Sequence, residues 1–357
     1  LFEESANLIE ADISRLMKLA ETWQPGEKSQ EALVRMSDED RKEAETFGKS
    51  PGLFERIAAD FDTCGLVGER TNKLLTYLAA VSRKLDDPLS ILILSSSGAG
   101  KSALQDAVLL LCPPEEVVKL TSLTGKALFY KARQSLRHKI LAVEEGAGAE
   151  DASYAIRNLV SAKELVIETT IKDLGTGRMT TMENRVEGPT AVFITTTDPD
   201  VDPETRSRFF VLTVDESREQ TRAILASQRK SQTLEAMAGN VSAESVIVRH
   251  RNFQRLLQPV VVINPHAGDL AYRDDRLQSR RDHPKYLNLI KAVAFIRQMT
   301  KDRKVRSKGQ KEFSYIEADR EDIRIADELA AEILHRNLED LNGVSQALLA
   351  QIERLVE

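Results

Sequence analysis

The chain has 357 residues, of which 41% are hydrophobic and 30% charged, a balance typical of a soluble globular protein with room for two or three domains. Its formal net charge of -6 excludes a protein that coats nucleic acid over its whole surface, although a local basic patch could still bind it. No apolar run approaches the ~20 residues that cross a bilayer, and residues 1–25 are acidic and amphipathic, so we expect a cytoplasmic protein without membrane contact.

Cysteine and histidine offer neither a metal site nor a disulfide framework. The two cysteines, Cys64 and Cys112, are far apart in the sequence, and the five histidines are scattered. This spacing fits no zinc motif, and we expect two buried free thiols. The chain begins with Leu rather than Met, so we expect a fragment with further domains upstream.

Residues 1–85 carry apolar residues at helical spacing, interrupted at Pro25-Gly26 and Pro51-Gly52. The pattern predicts an N-terminal helical domain. Within it, Ser37 is followed three residues later by Asp40, a capping-box-like pair that predicts the start of a helix.

Residues 86–216 alternate short aliphatic runs with helical stretches. Near-continuous apolar strands in such a series predict an α/β core with a parallel sheet covered on both faces. Residues 217–340 return to helical periodicity around one strand-like piece, VVVINP, and a last helix is predicted over 341–357. The apolar runs lie at 91–94, 117–120, 139–145, 190–197 and 209–214.

The stretch ILILSSSGAGKS, residues 91–102, has the pattern of a nucleotide-binding P-loop between a strand and a helix. Backbone N–H groups and the helix N-terminus would cradle phosphates, Lys101 would reach the β and γ phosphates of ATP, and Ser102 would bind Mg²⁺. Ser95 stands where a glycine is usual and restricts the turn, which leaves a degenerate structural loop as the alternative. The predicted nucleotide contacts are Ser97, Gly98, Ala99, Gly100, Lys101, Ser102 and Ala103.

A second apolar strand ends in two acids, in HKILAVEEGAG at 138–148. Such a pair sets one carboxylate on the water shell of the metal and the next on the attacking water. We assign Glu144 to Mg²⁺ and Glu145 to the general base. Two exposed acids at a strand end are the alternative.

A third apolar strand, TAVFITTT, ends in threonines, and we assign Thr196 to orienting the attacking water. Arg206 and Arg208 follow about ten residues later. A guanidinium there would reach the γ-phosphate of a neighbouring subunit rather than its own, as an arginine finger does. The alternative is a surface arginine paired with Glu204 or Asp202.

This order of strand, P-loop, acidic strand end, polar strand end and arginine resembles the AAA+ ATPases. The resemblance implies an AAA+ P-loop ATPase core, with helices on both faces of its sheet, between an N-terminal helical domain and a C-terminal helical lid (217–340). It also implies that Arg280 or, as we assign it, Arg281 contacts nucleotide from the lid, and that Val67 and Gly68 hold the adenine.

The segment 164–189 restricts the resemblance to a smaller group of AAA+ proteins. Two β-prone runs flank Gly175-Thr176-Gly177 and predict a hairpin just before the threonine strand. Such an insertion resembles the pre-sensor-1 hairpin of the minichromosome-maintenance (MCM) helicases, which grips DNA in a ring channel. In this chain Lys172 and Arg178 would contact phosphate, and Thr176 and Gly177 would permit close backbone approach. A plain solvated hairpin is the alternative.

Four longer runs extend the resemblance: SRKLDDPLSILILSSSGAGKS, LTGKALFY, EGPTAVFITTT and RRDHPKYLNLIKAVAFIRQ. Together, over about residues 45–340, they resemble the helicase part of bacterial and phage-like primase-helicase proteins, which often carry a primase domain upstream. The resemblance implies an ATP- and Mg²⁺-dependent DNA helicase that forms a homo-oligomeric ring, a hexamer. It also implies that the ring acts on single-stranded or forked DNA in replication, in a mobile or phage-like element. The last helix is similar to the start of a winged-helix module.

Two other functions stay open from the sequence. One is an ATP-gated DNA-binding initiator or loader that does not translocate. The other is an AAA+ protein remodeller, which is disfavoured because the hairpin turn has no aromatic residue. The basic run KDRKVRSKGQK at 301–311 has no aromatic residue before Phe313, so we interpret it as a solvated loop rather than a nucleic-acid site.

Overall fold

Three helices precede the first strand in the computed structural model of the chain, which describes residues 36–123, 126–144, 149–172, 179–272, 274–308 and 311–338. The first helix starts directly after Ser37, as predicted, with acidic residues in its first turn. In the second, Leu53, Ile57 and Phe61 form one buried stripe at helical spacing. The helices are α1 (Asp38–Gly48), α2 (Leu53–Thr63) and α3 (Arg70–Ser82).

The described strands form three sheets. The largest has five strands in the order β2-β3-β6-β1-β7, and every neighbouring pair in it is parallel. The predicted α/β core with a parallel sheet is therefore confirmed. The strands are β1 (Ile91–Leu94), β2 (Val117–Leu120), β3 (Lys139–Val143), β4 (Glu164–Lys172), β5 (Met179–Glu187), β6 (Thr190–Thr196), β7 (Phe210–Leu212), β8 (Val261–Ile263), β9 (Lys304–Lys308) and β10 (Lys311–Glu317).

Helices cover both faces of the five-stranded sheet. Alternate strand residues enter two buried clusters: Ile93 and Phe193 pack with α3 and the helix after the P-loop, whereas Leu92 and Ile194 pack on the other face. The remaining helices are α4 (Lys101–Leu110), α5 (Ala149–Ser161), α6 (Pro203–Arg206), α7 (Arg218–Lys230), α8 (Leu234–Leu256), α9 (Ser279–Ile296) and α10 (Arg320–Leu338).

The core is continuous across residue 85, where the sequence suggested a domain boundary. Phe47, Ile57 and Leu75 from the first three helices lie in the same buried cluster as Ile93 of β1 and Phe295 of α9. Residues 1–35 and 339–357 lie outside the described residues, so the predictions for these segments remain predictions. Among the described helices, none combines the length and apolarity that a membrane span requires.

Strands β4 and β5 form the predicted antiparallel hairpin between α5 and β6. Their register runs from Glu164 opposite Glu187 to Lys172 opposite Met179. Leu165 and Val186 are buried at the base, in the cluster that covers one face of the large sheet. Met179, at the far end, is 66% exposed. The hairpin is therefore anchored at its base and extends into solvent.

The basic run at 301–311 corrects one expectation. It is not a solvated loop, since Lys304–Lys308 form β9, which pairs antiparallel with β10 in a sheet ordered β8-β10-β9. Residues 304–308 alternate charged and uncharged side chains, the period of a strand. Charged residues are common on edge strands because they discourage pairing with a further strand.

A buried polar network joins α8 to α2 and α3. The ring of His250 is fully buried; its Nδ1 lies 2.8 Å from the Tyr77 hydroxyl and its Nε2 lies 2.9 Å from Asp60. Because a carboxylate only accepts, Nε2 carries the proton, and Nδ1 of the neutral ring accepts from Tyr77. Arg249 donates to both oxygens of Asp60, at 2.9 and 3.0 Å.

The network predicts a stability that falls in mild acid. Burial lowers the pKa of His250 below its ordinary 6.5, against the opposing effect of Asp60. The unfolded chain therefore gains a proton as the pH drops through about 6.5 while the folded chain does not, so the free energy of unfolding should fall by up to about 1.4 kcal/mol per pH unit. Urea unfolding between pH 7.5 and 5 measures this slope.

Replacement of the ring separates this contribution from others. His250→Gln should lower stability at pH 7.5 and flatten the slope between pH 7.5 and 5, whereas His266→Gln, outside the network, should retain the wild-type slope. An unchanged slope in His250→Gln would contradict the assignment. Asp60 acts in the same direction but at lower pH: burial opposes its ionisation, and the hydrogen bonds from His250 and Arg249 outweigh burial and lower its pKa.

Candidate functional site

A cleft of about 420 Å³ lies at the carboxyl edge of the five-stranded sheet. Parallel strands end at the same edge, so the loops that follow β1, β2, β3 and β6 meet there. Because β6 lies between β1 and β3, the threonine strand separates the P-loop from the acidic strand. The cleft is lined by Ser97, Gly98, Gly100, Lys101, Ser102, Ala103, Thr121, Glu144 and Thr195.

Two glycines give the P-loop its shape. Gly98 and Gly100 have φ angles of 79° and 106°, which lie in the region that side chains disfavour. Helix α4 begins at Lys101, directly after Gly100. The first N–H groups of this helix have no partner within it, and they adjoin the cleft as donors for an anion.

Ser95 is not strained at the position where a glycine is usual. The described non-glycine residues with positive φ are Glu69, His138 and Lys163, so Ser95 is not among them. Its Oγ accepts a hydrogen bond from the Val214 N–H at 2.8 Å and donates to the Leu94 carbonyl at 2.6 Å. The serine therefore ties the P-loop to the chain that leaves β7, a contact that glycine cannot make.

The Lys101 side chain lies inside the loop. It is 7% exposed, and Nζ donates to the carbonyl oxygens of Ser95 at 3.0 Å and Ser96 at 2.8 Å. These two acceptors hold the ammonium beside the cleft. Glu216 supports the same loop from outside, because its carboxylate accepts from the N–H and hydroxyl of Ser96 at 2.9 and 3.0 Å.

Glu144 contributes a carboxylate to the cleft. Lys119 of β2 lies 2.6 Å from one Glu144 oxygen and 2.7 Å from Asp106 of α4. Hydrogen bonds to Asp106 and Glu144 raise the pKa of Lys119, so the ammonium stays charged and orients the Glu144 carboxylate. Glu145, the predicted general base, lies outside the described residues.

Thr195 faces the cleft, whereas the sequence analysis chose Thr196. Thr195 lies on the sheet face of Phe193 and Ile93, which packs against α4, and it lines the cleft beside Glu144. Thr196 lies on the opposite face with Ile194, and its hydroxyl accepts from the Asp198 N–H at 3.1 Å. Thr195 is therefore the hydroxyl better placed toward bound nucleotide.

The predicted arginines gather at the amino edge of the sheet, away from the cleft. β7 begins at Phe210, which pairs with Ile91, the first residue of β1, so Arg208 precedes the sheet at the edge opposite the P-loop. Arg281 donates to the Ser207 hydroxyl at 2.8 Å. Arg208, Arg280 and Arg281 line a second cavity of about 470 Å³.

Arg206 and Arg208, the two candidates for an arginine finger, differ in their side-chain contacts. Arg208 contacts Glu204 at 3.0 Å and donates to Ser161 at 2.6 Å. Arg206 is exposed, and its guanidinium has no hydrogen-bond or ion-pair partner among the described residues. The surface pairing with Glu204 is therefore present at Arg208 but not at Arg206. Arg281, predicted to contact its own nucleotide, lies with Arg208 instead of beside Lys101.

Val67 and Gly68, the predicted adenine contacts, do not line the cleft. The Val67 carbonyl accepts from the Gln220 amide at 2.7 Å, and a Cβ at Gly68 would lie 2.3 Å from Gln220. They adjoin the 214–220 segment that also holds Ser95 and Ser96. Of the predicted DNA contacts, Lys172 ends β4, whereas Thr176, Gly177 and Arg178 lie outside the described residues.

Three polar residues of the site were missed by sequence reasoning. Thr121 directly follows the apolar run of β2, and Thr195 is one of the threonines that end β6, so a polar residue at the carboxyl end of an apolar strand is the local signal for both. Glu216 carries no such signal, because its contact with Ser96 joins residues that lie 120 positions apart.

A comparison with models of protein families identifies the family of the chain. Residues 40–258, more than half of the chain, match a family model described as MTBMA_p00010 P-loop domain. A search of the curated proteins found no match. A P-loop domain binds nucleotide, usually with Mg²⁺, and is typical of nucleoside triphosphatases.

The two neighbouring threonines allow a matched test of the site. Thr195→Val removes the hydroxyl in the cleft and should lower the rate of ATP hydrolysis by up to about 100-fold, the cost of a misplaced reacting group. Thr196→Val removes a hydroxyl of the same size on the other face and should change the rate much less. Steady-state hydrolysis, with ATP affinity measured beside it, checks both. The reverse order of effects would restore Thr196 to the role given it from sequence.

Proposed function

The chain belongs to the MTBMA_p00010 P-loop domain family, and on this premise we propose that it is an ATP-dependent DNA helicase or translocase, a ring-forming AAA+ motor of DNA replication. The family supports nucleotide binding and hydrolysis. The observation that carries the finer assignment is the long hairpin β4–β5, inserted directly before the strand that contributes Thr195 to the cleft.

The hairpin has the dimensions of an arm that reaches a substrate. Each strand has nine residues, or about 30 Å at the rise of a β-strand. Its base packs in the core through Leu165 and Val186, and its far end is exposed. We assign phosphate contacts to Lys172 and Arg178, with Thr176 and Gly177 permitting close backbone approach.

The cleft has suitable groups for hydrolysis of ATP. Lys101 and the N–H groups of the P-loop bind the phosphates, Thr195 holds the attacking water, and Glu145 takes its proton. Ser102 and Glu144 offer the hard oxygen ligands that Mg²⁺ prefers, and Mg²⁺ when bound neutralises charge on the phosphates. Among the residues that the structure describes, no group of three or more His, Cys, Asp or Glu side chains could hold a metal ion.

The arginines support action between subunits. Arg208 and Arg281 adjoin a cavity at the edge of the sheet that is opposite the P-loop. In a ring, that edge of one subunit faces the cleft of the next, where guanidinium groups stabilise the γ-phosphate during transfer. We propose a hexamer, with Arg206 or Arg208 as the finger and Arg281 beside it.

The first test is steady-state ATP hydrolysis with and without single-stranded DNA. We expect DNA to stimulate turnover of the wild-type chain, and we expect Glu145→Gln to bind ATP without hydrolysing it. Hydrolysis that ignores DNA would contradict the motor and favour the protein remodeller. DNA-stimulated hydrolysis without strand separation or movement on a forked substrate would favour the initiator or loader.

Mixing experiments test the arginines. If Arg208 acts on a neighbour's nucleotide, wild-type protein mixed with Arg208→Ala should lose activity by much more than the mutant fraction, because one defective subunit stalls its neighbours. Arg206→Ala tests the other finger candidate, and Arg229→Ala, an exposed arginine of α7, is the matched control. A linear loss with both Arg206→Ala and Arg208→Ala would argue against action in trans.

A further inference from the structure

The small sheet β8-β10-β9 has one face in the core and one face outward. Ile316 of β10 and Val262 of β8 are register partners, and both are buried in the main cluster. Because successive strand residues point to opposite faces, Tyr315 and its partner Val261 face the other way. Val261 is 45% exposed, which identifies the solvent face.

On this solvent face, basic residues of β9 lie opposite aromatic residues of β10. Across the β9–β10 pair, Arg306 lies opposite Phe313 and Lys304 lies opposite Tyr315, and directly opposed residues share a face. The rings of Phe313 and Tyr315 are half-buried, with centroids 6.0 Å apart and planes tilted by 41°. Lys304 and Arg306 are exposed. The pairing of the two strands thus places an aromatic residue opposite each cation, although the two are separated in the sequence.

The two cations of this face differ in their pairing. Lys304 is paired with Glu317 at 2.6 Å, at the end nearer β8. Arg306 has no hydrogen-bond or ion-pair partner among the described residues. An anion that approaches the face therefore meets a free guanidinium beside Phe313, at the edge of the ring platform.

We propose that this face, defined by Lys304, Arg306, Phe313 and Tyr315, binds single-stranded DNA. Bases stack on the two rings, and the cations contact the phosphates between them, which is the combination used by proteins that bind single strands without sequence preference. Duplex DNA fits this surface less well, because the faces of its bases are stacked inside the helix. A protein partner also fits less well, because the core of a protein interface is depleted of charge. The site needs no nucleotide and does not rest on the proposed motor.

The test is binding of a fluorescein-labelled oligothymidylate of about 16 nucleotides, measured by anisotropy without ATP or Mg²⁺. The paired change Phe313→Leu with Tyr315→Leu keeps apolar volume and removes stacking, and it should weaken binding about tenfold. Arg306→Gln should weaken binding and reduce the slope of log affinity against log salt by about 1. Arg229→Ala removes a charge elsewhere and should change neither quantity.

A chain without the two cations of the hairpin distinguishes binding by the sheet face from binding by the hairpin. The same variants are measured in a chain that also carries Lys172→Ala and Arg178→Ala, where the loss due to the sheet variants should persist. Photo-cross-linking with iododeoxyuridine in the oligonucleotide should label the peptide that contains Phe313 and Tyr315. The proposal would be overturned if the Phe313 and Tyr315 variants kept the wild-type affinity or if duplex DNA bound equally well. Labels found only on other peptides would also overturn it.

Thermal unfolding of each variant controls for damage to the sheet. Tyr315→Phe keeps the ring and should bind as wild type, so a loss in Tyr315→Leu that Tyr315→Phe does not share identifies stacking. If the sheet face binds DNA but hydrolysis ignores DNA, the motor fails and this inference stands. If DNA stimulates hydrolysis and the Phe313 and Tyr315 variants bind DNA as the wild type does, the motor stands and this inference fails.

Discussion

The common direction of the five parallel strands is the constraint on which the site depends. Parallel strands end together, so the P-loop after β1, Glu144 after β3 and Thr195 in β6 are brought to one edge without any special contact. The same rule holds Arg208 at the amino edge, because it precedes β7. Four residues of β1 separate the edges by about 13 Å. Within one sheet the two sets of groups lie at opposite edges, and the proposal of action on a neighbouring subunit starts from this geometry.

Helix α3 is the element around which the other layers pack. Its residues from Asn72 to Ser82 are all buried, which is expected of a helix surrounded by other elements on every side. Polar side chains in this helix are therefore satisfied internally: Asn72 donates to the Thr213 carbonyl at 2.9 Å, and Tyr77 bonds His250. These contacts join α3 to the chain after β7 and to α8. The helices before β1 thus belong to the support of the sheet and of the segment that holds Ser95.

Local patterns in the sequence identify much of this fold, because apolar runs and glycine positions are local. The runs predicted β1, β3 and β6, and the positions of Gly98, Gly100 and Lys101 between a strand and a helix predicted the P-loop. Contacts between distant residues leave no such pattern. The partner of Ser95 is Val214, and the rings beside Arg306 become neighbours only through strand pairing. The choice between Thr195 and Thr196 depends on which face of the sheet each residue occupies, and a strand that is apolar on both faces does not show this in its sequence.

The short connection between the hairpin and β6 gives the proposed motor a route from nucleotide to DNA. β5 ends at Glu187 and β6 begins at Thr190. The Gly188 N–H donates to the Lys163 carbonyl at 2.7 Å, and a Cβ at Gly188 would lie 2.8 Å from that oxygen, so the connection is pinned to the residue just before β4. Both strands of the hairpin are thereby held to the start of the strand that carries Thr195. A shift of β6 in response to a phosphate at the cleft would move the hairpin base as a unit, and a nine-residue arm would amplify a small rotation at its far end. Packed elements with two discrete arrangements carry such coupling, whereas a flexible linker at residues 188–189 would lose it.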